Sequence, residues 1–330
     1  MNKKILGYIL ISAVSFCLGW FFSSEKKYDT GYGLSESEVD KKITQSEEKG
    51  FFLKNFQGLA FDADSLTAAA SKSRKKNTIP TSSVGTTTSD SFSSVVTIDE
   101  TGAIGSSSSS RWWVNSGGRF VVNNNVGKTL FGNLSSNDLW YKEYLSSNPV
   151  DTDNGLHPQN IFRLVEREYW KNYTQQVYFN ISKINVSASP NRNASNGVLL
   201  FNRYQSGDNL YYVGVRVDGA AVIKKKLNGI YYTMAYTKIF NGTYNQNTNE
   251  NLIPLNSWIG VKSEVKDLSN GDVSIKLFVD NQRSGTWTEV LSTIDSPGLF
   301  GPSVVSSQGY AGIRTDFMDV AFDDYLIKAI

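Results

Sequence analysis

Beyond residue 111, apolar and polar side chains alternate with a period of two through much of the chain. In Tyr173-Thr-Gln175-Gln-Val177-Tyr-Phe179-Asn-Ile181, one face carries Val177, Phe179 and Ile181, and the other carries Gln176, Tyr178 and Asn180. That spacing predicts a strand buried on one side. The same period recurs in Val273 to Asp280 and in Tyr211-Tyr-Val213-Gly-Val215-Arg-Val217, which runs into the turn Asp218-Gly219. Further strands are predicted over Val198 to Tyr204, Ala220 to Lys225, Ser257 to Val265, Gly309 to Thr315 and Val320 to Ile327. The largest loops fall around Ser146 to Gln159 and Asn241 to Leu255, and no long helical pattern intervenes. Short strands separated by Gly, Asn, Asp and Ser predict an all-β fold, an antiparallel two-sheet jelly-roll sandwich.

The pattern before residue 111 is different. After Lys3 and Lys4, the run Ile5 to Phe22 holds 18 residues without a charge, close to the roughly 20 that a helix needs to cross a bilayer. Residues 1–23 read as a signal anchor, a single membrane-spanning helix with the bulk of the chain extracytoplasmic. Secretion after signal cleavage is the alternative. Cys17 falls inside the apolar run, where it reads as a membrane-buried thiol. Residues 24–110 are polar, and 17 of the 30 residues from Thr81 to Ser110 are Ser or Thr. Such a composition buries too little to offset backbone ordering, so residues 24–110 are expected to be a flexible stalk. The sandwich is then residues 111–330, opening at Trp112 and Trp113.

Composition narrows the chemistry. With 33 Lys+Arg against 31 Asp+Glu, the formal charge is +2. No large basic field is available, and no nucleic-acid partner is expected. One Cys and one His exclude a disulfide scaffold and multi-cysteine metal sites, and make any Ser-His-Asp arrangement depend on His157. Charged residues are only 19% and aromatics 13% of the chain, which suits hydroxyl-rich, weakly charged ligands. Lys224-Lys-Lys226 reads as a solvated strand edge that discourages aggregation, contact with acidic sugar or polymer being the other reading.

The order of the strand motifs adds a family. Glu166-Arg-Glu-Tyr169-Trp-Lys-Asn-Tyr173, Ser195-Asn-Gly197-Val-Leu-Leu-Phe201, Asn209-Leu-Tyr-Tyr212-Val-Gly-Val215 and Trp258-Ile-Gly-Val261-Lys follow one another in the chain. They are followed by Val273 to Asp280, Gly309-Tyr-Ala-Gly312-Ile-Arg-Thr and Val320-Ala-Phe-Asp323-Asp-Tyr-Leu-Ile327. The ordered set resembles the concanavalin A-like lectin/glucanase superfamily, especially laminin G-like and 3-keto-disaccharide hydrolase domains. The resemblance implies a sandwich that hosts lectins, hydrolases, lyases and adhesion modules alike.

Three functions stay open. The first is a lectin-like module binding carbohydrate or a cell-envelope polymer. Sugar rings stack on aromatic faces while their hydroxyls seek polar partners, and alternation nominates Arg163, Trp170, Gln176, Tyr178, Asn202, Tyr204, Tyr212 and Arg216 on a concave sheet face. The second is a glycan-cleaving enzyme, a glycoside hydrolase or a lyase. Glu166 and Glu168 stand two apart on a predicted strand, about 6.6 Å apart along one face, although the glucanase pattern has a third acid where this chain has Trp170. A lyase reading would draw on Arg163, Gln176, Tyr178, Arg216 and Tyr231, with His157 in a loop. The third is a structural surface or assembly module. The resemblance also implies a structural Ca²⁺ held by Asp323 or Asp324 of the last strand, with backbone carbonyls completing the six to eight oxygens that the ion takes.

Overall fold

The computed structural model describes residues 85–330. The expected membrane helix over residues 1–23 and the stalk up to residue 84 lie outside the described residues. Among the described residues, no helix is long and apolar enough to cross a membrane.

Among the described residues, sixteen strands form two antiparallel sheets. One holds seven strands: β3 (Trp112–Ser116), β6 (Ile161–Trp170), β8 (Gly197–Ser206), β9 (Asn209–Arg216), β10 (Ala220–Leu227), β11 (Ile230–Lys238) and β15 (Gly309–Asp316). Their order is β11-β10-β9-β8-β15-β6-β3. The other sheet holds β1 (Thr87–Asp90), β2 (Val96–Asp99), β4 (Arg119–Asn123), β5 (Val126–Lys128), β7 (Tyr173–Ile184), β12 (Ile259–Asp267), β13 (Val273–Asn281), β14 (Thr288–Asp295) and β16 (Met318–Ala329). It runs β14-β13-β12-β7-β16-β5-β4-β2, with β1 also paired to β16. The chain crosses between sheets repeatedly, as a jelly roll requires. β6 and β7, joined only through Lys171 and Asn172, lie in different sheets.

Alternation sets which side chains meet between the sheets. Val177, Phe179 and Ile181 of β7 and Ile275, Leu277 and Val279 of β13 face Tyr211, Val213 and Val215 of β9, with Phe162 and Leu164 of β6, in one buried core. β-branched and aromatic residues dominate it, as expected of a pleated, half-buried surface. Phe322 turns into this core and Asp323 away from it.

The expected boundary at Arg111 is corrected. β1 and β2 precede it and are hydrogen-bonded to β16 and β4. Phe92 and Ile98 are each only 1% exposed. Trp112 Nε1 donates to Asp90 at 2.8 Å, and Arg111 donates to the Ser89 carbonyl. Ser and Thr form adequate edge strands when a few apolar anchors tie them to a sheet, so composition concealed the start of the sandwich. A short helix, α1 (Leu139–Ser147), is capped by Asp138, whose carboxylate accepts from Trp140 N at 2.7 Å. Trp140 and Tyr144 of this helix pack on Leu130 and Ile161 as a small separate cluster.

Candidate functional site

The seven-stranded sheet carries a second apolar cluster on its outer face, away from the main core. Strand register lays it out in rows. Arg163 pairs with Arg314, and Arg314 with Leu199, which stands opposite Gly214; Gly214 in turn faces Val222. The next row runs Val165, Gly312, Phe201, Tyr212 and Lys224. Tyr204 pairs with Tyr310, and Lys226 with both Leu210 and Tyr231. Gly312 is obligatory here, because a Cβ would stand 2.3 Å from the Leu164 carbonyl oxygen.

Aromatic rings run continuously over this face. Phe201 stacks with Tyr204 at 5.3 Å between centroids and meets Tyr212 edge-on at 5.6 Å, while Tyr212 stacks with Tyr231 at 6.0 Å. Cations lie over these rings. Arg314 is 5.3 Å from the Tyr212 centroid, and Lys224 and Lys226 are 5.3 and 4.9 Å from that of Tyr231. Among the described residues, Asp316 accepts from Arg314 Nε at 2.8 and 3.1 Å, and Asp208 lies 3.3 Å from Lys226 Nζ. Burial, with the neighbouring Arg314 charge, pulls the Lys226 amine down to about 7. Farther along, Arg216 bonds Asp218 at 2.9 Å and lies over Tyr236. Phe201, Tyr212, Tyr231, Lys224 and Lys226 are buried, and the groups of this face that stay half-buried include Tyr204, Tyr310, Arg163 and Arg314.

The structure divides the eight expected ligand residues among three places. Arg163, Tyr204, Tyr212 and Arg216 share the outer face just described. Trp170 and Asn202 are fully buried between the sheets, where Asn202 accepts from Gln175 at 3.0 Å and from Ser263 at 2.8 Å. Gln176 and Tyr178 belong to β7 and lie on the outer face of the opposite sheet, where Tyr178 donates to Asp280 at 2.7 Å. Phe201, Tyr310 and Arg314 were not singled out from the sequence. The pattern held the signal for Arg314, since alternation in Gly309 to Thr315 turns Ile313 inward and its neighbours outward. The three lysines separate as well. β10 is not an edge, being flanked by β9 and β11, so the solvated-edge reading fails. Lys225 points inward and bonds Asp295 at 2.8 Å, both side chains being fully buried.

The candidate catalytic pair is split. Between Gly312 and Tyr310 the register of β6 slips from Val165 to Tyr169, leaving Glu166 to Glu168 in a bulge. Glu166 turns inward, 1% exposed, and accepts from Trp170 Nε1 at 2.7 Å and from Glu168 N at 3.1 Å, while Glu168 is exposed. Burial pushes the Glu166 carboxyl up to about 7. A bulge breaks the two-residue period on which a shared catalytic face depends. Glu100 is a further raised carboxyl, lifted to about 7 chiefly by burial, and it accepts from Tyr144 at 2.6 Å and Gly118 N at 2.8 Å. His157 lies 2.7 Å from Asp153 and 2.9 Å from Asn133, in contacts that tie two loops together.

Asp323 and Asp324 do not fit a metal ion. Both accept from the Arg283 guanidinium, at 2.7 and 2.5 Å, so a cation is already in place between them. Asp324 is held at φ 47 where the register slips between Asp323 and Leu326. Among the described residues, no three His, Cys, Asp or Glu side chains converge as a metal site.

No protein-family model matches the chain, and no curated protein matches it. Solved structures similar to it include the carbohydrate binding module CBM66 from Bacillus subtilis, at 16% identity and TM-score 0.36, covering 52% of this chain and 83% of that one. A lichenase, a prokaryotic beta-1,3-1,4-glucanase derived from a mouse hindgut metagenome, is similar at 8% identity and TM-score 0.39, with coverages of 74% and 100%. Basic winged bean lectin with Tn-antigen is similar at 9% identity and TM-score 0.36, with coverages of 73% and 98%. No residue of this chain takes a role from them.

Proposed function

We propose that this chain is a membrane-anchored, extracytoplasmic lectin-like module that binds a carbohydrate polymer on the outer face of its seven-stranded sheet. The observation that carries this reading is the half-buried cross-strand pair Tyr204 and Tyr310, backed by the buried rings of Phe201 and Tyr212, with the half-buried Arg163 and Arg314 on the same face. Pyranose rings present flat C–H faces that stack on such rings, and their hydroxyls accept from guanidinium and ammonium groups. The anchor rests on the uncharged run Ile5 to Phe22. Binding is favoured over cleavage because a hydrolase needs two carboxyls converging on one bond, about 5–9.5 Å apart, whereas Glu166 and Glu168 diverge.

The test is affinity electrophoresis of the full-length protein in gels containing single polysaccharides, alongside size analysis of each polysaccharide after incubation. Retardation without shortening of the polymer is expected. Tyr204→Ala or Tyr310→Ala is expected to weaken retardation by roughly tenfold, the size of about 1.4 kcal/mol of lost stacking. Shortened product would replace the binding reading with the enzymatic one. Absence of retardation by every polymer would leave a structural surface module.

A further inference from the structure

The outer face of the other sheet, which holds β7, β12 and β13, carries an array of its own. Among the described residues, Trp112, Trp113, Trp140 and Trp170 are buried, whereas Trp258 and Trp287 reach solvent. Both lie over this face. Trp258 immediately precedes β12 and Trp287 immediately precedes β14. Arg283 links them: its guanidinium is 5.0 Å from the Tyr178 centroid and 5.3 Å from that of Trp258, and Tyr178 meets Trp287 at 5.5 Å. Asp323 and Asp324 hold that guanidinium in place. The turn after β13 is shaped to bring these groups back over the sheet, with Gln282 and Arg283 at φ 64 and 53, a region that residues bearing a Cβ seldom adopt. Asp280, fully buried, fixes the turn. It accepts from Ser284 N and Gly285 N at 2.8 Å, and from Ser284 Oγ and Tyr178 Oη at 2.7 Å.

Beside the tryptophans, two polar groups have no partner. Gln176, Lys262 and Phe278 are successive cross-strand neighbours on β7, β12 and β13, and all three are half-buried. Lys262 Nζ lies 4.7 Å from the centroids of both Phe278 and Trp287. Among the described residues it makes no hydrogen bond or ion pair, and the Gln176 amide makes none either. Tryptophans left in water forgo the stabilisation that burial gives, so packing does not account for two of them on one face. Resting on the proposed carbohydrate reading, we infer that this face is a second glycan site, where sugar rings stack on the exposed parts of Trp258 and Trp287. Sugar hydroxyls both donate and accept, which matches the donor and acceptor of the Gln176 amide and the donors of Lys262. The two sites lie on opposite outer faces of the sandwich. One molecule can then hold two polysaccharide segments, and joint engagement raises apparent affinity with no new contact.

The experiment is affinity electrophoresis of the full-length protein in gels containing single neutral polysaccharides, with Tyr204→Ala used to weaken the first face. Trp258→Ala alone is expected to weaken retardation about tenfold. Tyr204→Ala is expected to keep part of its retardation, and adding Trp258→Ala to it removes the remainder. Lys262→Gln, which deletes no ring, is expected to weaken retardation about fivefold with an unchanged urea midpoint. That variant guards against misfolding of the tryptophan variant. If Trp258→Ala and Lys262→Gln have no effect, alone or added to Tyr204→Ala, the inference is overturned and the first face stands as the glycan site. If Trp258→Ala abolishes retardation while Tyr204→Ala leaves it unchanged, this site is upheld and the first face is the one overturned. Absence of retardation by every polysaccharide overturns both.

Discussion

Lys225 and Asp295 form a fully buried ion pair that joins β10 of one sheet to β14 of the other, with Nζ 2.8 and 2.9 Å from the two carboxylate oxygens. Tyr211 donates to the same carboxylate at 2.6 Å, and the Ser303 carbonyl accepts from Nζ at 2.9 Å. At 2.8 Å and an effective dielectric constant of about 20, the attraction is about 6 kcal/mol, most of which repays desolvation. Removing one partner therefore costs more than the pair contributes. Asp295→Asn strands an ammonium between the sheets and is expected to lower stability by about 3–5 kcal/mol. Lys225→Met, which strands the carboxylate instead, is expected to cost a similar amount. The double variant Lys225→Met, Asp295→Leu removes both charges and is expected to lie far closer to the unmodified protein than to the sum of the singles, a coupling of about 2 kcal/mol or more. Urea unfolding followed by tryptophan fluorescence measures all three. Additive losses in the double variant, or a loss under about 1 kcal/mol in Asp295→Asn, would refute the claim that the pair acts as one clamp between the sheets.

Three further outcomes are expected. The Glu166 carboxyl titrates near 7 in the fold against 4.5 unfolded, so the folded state holds its proton longer. Its contribution is fully present below 4.5, falls as pH rises, and is lost above 7, an upper limit of about 3 kcal/mol. Glu166→Gln should flatten part of that slope in urea midpoints taken between pH 5 and 8, Glu100 supplying the remainder; an unchanged slope would disprove the assignment. A Cβ on Gly260 would meet Trp287 at 2.6 Å and Tyr178 at 2.8 Å, so Gly260→Ala should cost about 1–3 kcal/mol and alter the near-ultraviolet circular dichroism, whereas unchanged spectrum and stability would show that the rings do not rest on this strand. With Arg283 between Asp323 and Asp324, chelator should leave the melting temperature unchanged, and a fall of several degrees would restore the calcium expectation.

What the sequence revealed and what it hid follow from one geometric fact. Period-two alternation tells which residues of a strand share a face, and it identified the interior of β7, β9, β13 and β16. It does not tell which sheet a strand enters. Gln176 and Tyr178 were therefore grouped with Tyr212 although two sheets separate their outer faces. Alternation also presumes an unbroken register. Asn202 and Tyr204 are two apart and were assigned one face, yet Asn202 lies inside with Gln175 and Ser263, and Tyr204 lies outside against Phe201. Between them Arg203 adopts φ 52 at a slip in the β8–β9 register. Its buried guanidinium is held by Asp267 at 2.7 Å, the Val305 carbonyl at 2.9 Å and Asn172 at 3.1 Å. A non-glycine residue in the left-handed region costs on the order of 1 kcal/mol, and those contacts are what hold it there. The same device in β6 separates Glu166 from Glu168. In both strands, the break in alternation decides the chemistry: it turns Tyr204 out to the binding face and removes one carboxylate from the pair a glycosidase would need.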